Sequence, residues 1–132
     1  MLSSVQSFEI PQVMRAFKAF GEEYMPRMVF NVVQKRISTR IFQPSGRGME
    51  NPLPGTVLDH TVTREDRYDF YLVPQSVNQG TVTPSHFVVL FDSSGLRPDH
   101  IQQMAYKQCH LYYNWPGTIR TPAACLVSRA SL

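Results

Sequence analysis

The sequence is poor in cysteine. Cys109 and Cys125 are the only two in 132 residues, too few and too isolated for a disulfide framework or a zinc site, so both read as buried thiols. It also lacks a long apolar run at its start, because Glu9, Pro11, Arg15 and Lys18 interrupt residues 1–20 and exclude a signal peptide or membrane span there. The chain therefore reads as soluble and intracellular, with no membrane partner. No Gly-rich phosphate loop, nucleophile elbow or Cys/His catalytic pairing is visible, and there is no internal repeat or low-complexity segment. Charge of either sign is modest. Thirteen Lys and Arg against ten Asp and Glu give +3 and a pI near 9.1, which leans toward an anionic partner without demanding one.

What is present is enough for one domain, since 42% hydrophobic residues can build a core. Pro11 suits the first turn of a helix, and Val13, Phe17, Phe20 and Tyr24 follow at helical spacing until Gly21 and Pro26 stop it. Residues 28–34 form an apolar run interrupted only by Asn31, which predicts a strand buried on both faces, as in a parallel sheet. Residues 43–54 turn to Pro, Gly, Ser and Asn and read as a surface loop. Three short strands are predicted at 56–59, 68–73 and 87–91. A second helix is predicted over 98–113, with Ile101, Met104, Ala105, Cys109 and Tyr112 on one face and Asp99 in its first turn. Helices interleaved with strands give the class α/β.

Two segments could carry chemistry. VVQKRISTRIF, residues 32–42, places Lys35, Arg36 and Arg40 where the apolar strand emerges, with Ser38 and Thr39 as further donors; such a cluster serves either as an anion site or as a solvated strand end. CHLYYNWPGTIRTPA, residues 109–123, sets aromatic residues beside Arg120, an arrangement that stacks bases and pairs with phosphates. Trp115, next to Pro116 and Gly117, reads instead as a core aromatic closing the helix end. The pairs Asp59/His60 and Asp99/His100 lack metal-ligand spacing, and His86 reads as a hydrogen-bonded structural residue.

The order of four motifs is more specific than any one of them: VVQKRISTRIF, then NPLPGTVLDHTVTREDRYDFYLV at 51–73, GTVTPSH at 80–86, and GLRPDHIQQMAYKQCHLYYNWPGTIRTPA at 95–123. Together they resemble the PIWI domain of the Piwi branch of Argonaute proteins over residues 2–125. The resemblance implies a partial ribonuclease H-like α/β fold, a mixed sheet with flanking helices, with residues 1–132 forming an incomplete PIWI domain and 126–132 a divergent tail. In that family Asp, Glu, Asp and His hold divalent metal ions, Mg²⁺ in catalytic relatives, that promote attack on the target phosphodiester. The resemblance puts the first three upstream of this chain and Arg129, a cation that cannot ligate a metal, at the fourth. It therefore implies no catalytic residue, no metal ligand and no resident cofactor, and a chain that is not itself an enzyme.

What the resemblance transfers is contact with guide RNA and, weakly, target RNA, through Lys35, Arg36, Arg40, Gln75, Thr83, Tyr112 and Arg120. Tyr24 falls near a pocket where relatives take Trp-containing partner peptides. The readings that follow are a non-catalytic guide-RNA (piRNA-type) binding fragment acting in small-RNA silencing, a protein-interaction or vestigial fragment, or part of an active slicer if other segments supply the ligands. A cytoplasmic site, perinuclear granules or the nucleus would suit the family. Because the family pairs residues 28–34 with an upstream strand, an open sheet edge and self-association are also expected.

Overall fold

The computed structural model describes residues 1–127. Two antiparallel strands form the centre of a four-stranded sheet: β5 (Asp69–Leu72) and β6 (Ser85–Asp92). Their aromatic and β-branched residues suit a pleated, half-buried surface. β1 (Val29–Gln34) pairs antiparallel with β6 on one side, and β4 (Val57–Leu58) pairs antiparallel with β5 on the other, giving the order β1-β6-β5-β4. β2 (Gln43–Ser45) and β3 (Gly48–Glu50) form a separate hairpin.

Register decides which residues share a face. Phe70 lies opposite Phe87, Phe87 opposite Val33, and Leu72 opposite Val57, so one face is apolar. It packs on α3 (Pro98–Gln108) through Ile101, Ala105 and the adjoining Cys109, which with Phe70, Leu72 and Phe87 make the main core. The Phe70 and Phe87 rings stack with centroids 5.0 Å apart, and burying each side chain contributes about 1.5–3 kcal/mol. A smaller core of Ile41, Val73 and Val82 holds the loops at one end of the sheet. Asn51 ties those loops further, its amide donating to the Gly80 carbonyl at 2.8 Å and accepting from the Val82 N–H at 3.1 Å.

The chain begins with a helical path through α1 (Leu2–Ser4), a wide π turn over Val5–Glu9, and α2 (Ile10–Phe17), closed by a 3₁₀ turn over Lys18–Phe20. Pro11 stands in the first turn of α2, as its sequence context suggests, while the helical path extends upstream of it. The π turn just before it marks where the ladder adjusts to a residue without an N–H. A last short helix, α4 (Ala123–Val127), ends the described residues.

The α/β class holds, and several local expectations are corrected. β1 is not buried on both faces in a parallel arrangement: it is an antiparallel edge strand with all six residues half-buried. Residues 43–54 contain the β2–β3 hairpin, made by a tight turn after which Gly48 adopts φ 120°. The first helix stops at Phe20 because Gly21, at φ 127°, turns the chain. Tyr24 then folds back onto Phe17 and Phe20, at ring distances of 6.2 and 5.5 Å. α3 ends at Gln108 rather than Tyr113, and Met104 is exposed.

Candidate nucleic-acid interface

The C-terminal ends of β1 and β5 and the N-terminal end of β6 coincide, since Gln34 pairs with His86 and Leu72 with Ser85. Lys35, Arg36 and Arg40 follow β1, Gln75 follows β5, and Thr83 precedes β6, so five of the predicted contacts gather at one end of the sheet. The core of Ile41, Val73 and Val82 fixes the backbone next to Arg40, Gln75 and Thr83. Arg36 and Arg40 are exposed, while Lys35, Gln75 and Thr83 are half-buried.

Arg120 joins this corner from the loop after α3. Its Nη2 donates to the Lys35 carbonyl at 2.8 Å, its own carbonyl accepts from Ser85 Oγ at 2.7 Å, and the preceding Ile119 N–H donates to the Cys109 carbonyl at 2.8 Å. Arg40 Nη1 donates to the carbonyls of Ile37 and Thr39, both at 2.8 Å, and so rounds the 37–40 segment into a compact turn. Tyr112 stands apart, its half-buried ring meeting Tyr113 at 5.7 Å.

Beneath the corner lies a buried polar chain. His86 places Nε2 2.6 Å from Asp69 Oδ2 and Nδ1 2.8 Å from Gln34 Oε1, and its ring stacks on Tyr71 at 4.4 Å. Asp69 Oδ1 accepts from the Arg64 N–H at 2.9 Å. His86 is thus the hydrogen-bonded structural residue its sequence context indicates. Gln34 and Ser85 carry contacts that the sequence reading did not single out. Asp69 offered a signal, because a carboxylate inside an apolar strand requires a partner.

Two thiols border this region. Burial pushes the Cys109 thiol up to about 12, with Cys125 acting in the same direction. Burial also raises Cys125, while the nearby Lys35 ammonium opposes that rise. Cys109 is fully buried and Cys125 half-buried. Trp115, expected in the core, is 58% exposed. Its indole covers Gly117 so closely that a Cβ there would fall 2.9 Å from Nε1.

The other end of the sheet holds a cavity of about 540 Å³ between the first helical path and the end of β6, lined by Met14, Phe17, Tyr24, Met25, Met28 and Phe91 among others. Arg15, Lys18, Glu22 and Arg27 are its charged lining residues. The length of β1 separates Tyr24's surroundings from Lys35 by about 17 Å at the usual strand rise.

The described residues do not fit a divalent metal. Among the described residues no three His, Cys, Asp or Glu side chains converge, and both oxygens of the buried Asp69 are already committed to His86 and Arg64. The position of Arg129 lies outside the described residues.

An antiparallel sheet backed by one helix, with cations and hydroxyls collected at one end, defines a segment of an α/β domain. The chain belongs to the Piwi family: the Piwi domain model matches residues 1–130. It is 56% identical over 124 residues to Piwi-like protein Ago3 of Bombyx mori and 49% identical over 124 residues to Piwi-like protein 1 of Gallus gallus, each match covering 94% of this chain. It spans 13% and 14% of the length of those two relatives. The crystal structure of Drosophila Piwi superposes with a TM-score of 0.81 at 37% identity, covering 97% of this chain and 18% of that one. The structure of Kluyveromyces polysporus Argonaute with a guide RNA superposes at 0.82 with 22% identity, covering 98% of this chain and 18% of that one, and shares the fold.

Proposed function

We propose that this chain binds the sugar-phosphate backbone of a guide RNA without cutting RNA, as a piece of a Piwi-type small-RNA silencing protein. The observation that carries the reading is the gathering of Lys35, Arg36, Arg40, Gln75 and Thr83 at one end of the sheet, with Arg120 bonded to the Lys35 carbonyl beside them. Cations meet phosphates and hydroxyls add donors, so binding is close to sequence-independent. Family membership supports the choice of RNA as the anion, as does the guide RNA bound by the Kluyveromyces polysporus Argonaute, which shares this fold. The absence of a convergent metal donor set among the described residues supports the non-catalytic half.

A salt titration with single-stranded RNA tests it. Changing Lys35 and Arg36 together to Ala is expected to weaken binding and to flatten the slope of log K against log salt by about 1.4, roughly 0.7 for each lost phosphate contact. If the double variant binds as tightly as the parent at every salt concentration, the cluster is a solvated strand end. A second reading, a docking site for a Trp-containing peptide, is favoured by the apolar cavity that Tyr24 lines. Tyr24→Ala separates the two, since the cavity lies at the end of the sheet remote from Lys35.

A further inference from the structure

Two bridges, independent in sequence, meet at the point where the β1–β6 ladder ends. Gln34 on β1 lies opposite His86 on β6 and is the last paired residue of the strand. Its side chain bonds the His86 imidazole at 2.8 Å, and the far side of that ring is held by Asp69 at 2.6 Å. One residue further along each strand, Lys35 and Ser85 are joined through a third party: Arg120 donates to the Lys35 carbonyl at 2.8 Å and accepts from the Ser85 hydroxyl at 2.7 Å. The last residue of β1 and the residue that follows it are therefore bolted to consecutive residues of β6, once by side chains within the sheet and once by an arginine from the loop after α3.

We infer that Gln34, His86 and Arg120 are positioning residues that hold the backbone of Lys35 and Arg36 in one conformation as it leaves the sheet. Arg120 then serves the site through the Lys35 carbonyl rather than as a phosphate contact of its own. The inference rests on the RNA-binding reading only for what the positioned cations meet. The physical need is plain. An edge strand frays beyond its last ladder bond, and cations on a fraying segment must be ordered when a ligand arrives, which weakens binding. The clamp orders them beforehand. His86 is 5% exposed and Asp69 2%, so water competes poorly for the inner bridge.

Hydrogen exchange on the free chain reads the clamp without any ligand. Gln34→Leu and Arg120→Ala are each expected to speed exchange at residues 35–40 by about tenfold or more while protection in Asp69–Leu72 is retained. The variants are made separately, so that if one loses the β5 protection and has unfolded, the other still reports. Arg120→Lys, which keeps a donor, is expected to restore part of the protection. In RNA titrations Arg120→Ala is expected to lower affinity with an unchanged salt slope, because no phosphate contact is removed. Unchanged exchange at 35–40 in the folded variants overturns the clamp. A slope lowered by about 0.7 with exchange unchanged makes Arg120 a direct phosphate contact instead. Faster exchange in the variants of a chain that binds no RNA leaves the clamp standing and removes the binding reading.

Discussion

Cys109 gives the residue scale its sharpest consequence. Its thiol donates to the Ala105 carbonyl at 3.4 Å inside the main core, and burial holds it protonated up to about pH 12 against an ordinary value of 9.0. Unfolding releases a thiol that ionises at its ordinary value. The folded state then binds more protons above that value, so this contribution to stability is complete below about pH 9 and is lost progressively as pH rises toward 12. Urea midpoints of the parent are expected to fall between about pH 8 and about pH 10.5 more steeply than those of Cys109→Ala. Equal slopes would show that the thiol titrates normally in the folded chain. The same burial makes Cys109 a poor nucleophile, so a thiol reagent should reach it only on unfolding. His86 and Asp69 show the opposite solution to burial: each keeps its polar atoms in hydrogen bonds instead of remaining apolar.

Among the elements, β1 combines apolar content with an unshared edge. Among the described residues it pairs with β6 alone, shifts register between Phe30 and Asn31, and borders a small cavity of about 120 Å³ lined with Met104, Ala105 and Ile101 of α3. Bulges and edges of this kind leave alternate backbone groups unpaired and open to another strand. Exchange along Val29–Gln34 is therefore expected to alternate, protected amides facing β6 and fast ones facing outward, and light scattering is expected to show mass rising with concentration. A monodisperse monomer protected uniformly across the strand would mean that the edge is closed. The position of β1 was legible as an apolar run, but its pairing was not, because such a run reports burial and not direction. β5 and β6 were legible from their aromatic and β-branched content. The β2–β3 hairpin was hidden because Gln-Pro-Ser and Gly-Met-Glu carry no strand propensity and the turn alone makes it. The periodicity of α3 ran on to Tyr112, yet turn-like bonds from Cys109 to Tyr106 and from His110 to Lys107 end the helix. At the candidate interface the cation cluster could be read directly. Its closure could not, since the Gln34–His86 and Arg120–Lys35 bonds span 52 and 85 residues.

For the whole molecule, the question is whether a chain with this fold cuts the RNA it is proposed to hold. Metal-assisted phosphodiester cleavage needs carboxylates that converge, because the ions they hold must activate water and stabilise the leaving oxygen together. The carboxylates among the described residues are dispersed, and the five aspartates are engaged. Asp69 is buried against His86 and the Arg64 N–H, Asp59 is bonded to His60 and Gln102, Asp92 to Ser94, Asp66 to Arg67, and Asp99 lies beside Arg97. His60 and Gln102 hold the Asp59 carboxyl below its usual range, yet that group faces solvent with no third ligand beside it among the described residues. The chain's net charge of +3 also favours retaining an anionic strand over collecting cations around it. Single-turnover assays of the pure chain with guide, complementary target and Mg²⁺ or Mn²⁺ are therefore expected to give no cleavage above the metal-only background, while the same preparation retains salt-sensitive RNA binding. Guide-directed scission by monodisperse protein, lost on chelation, would mean that a metal site is assembled beyond the residues described, and the non-catalytic reading would fall while the RNA-binding one remained.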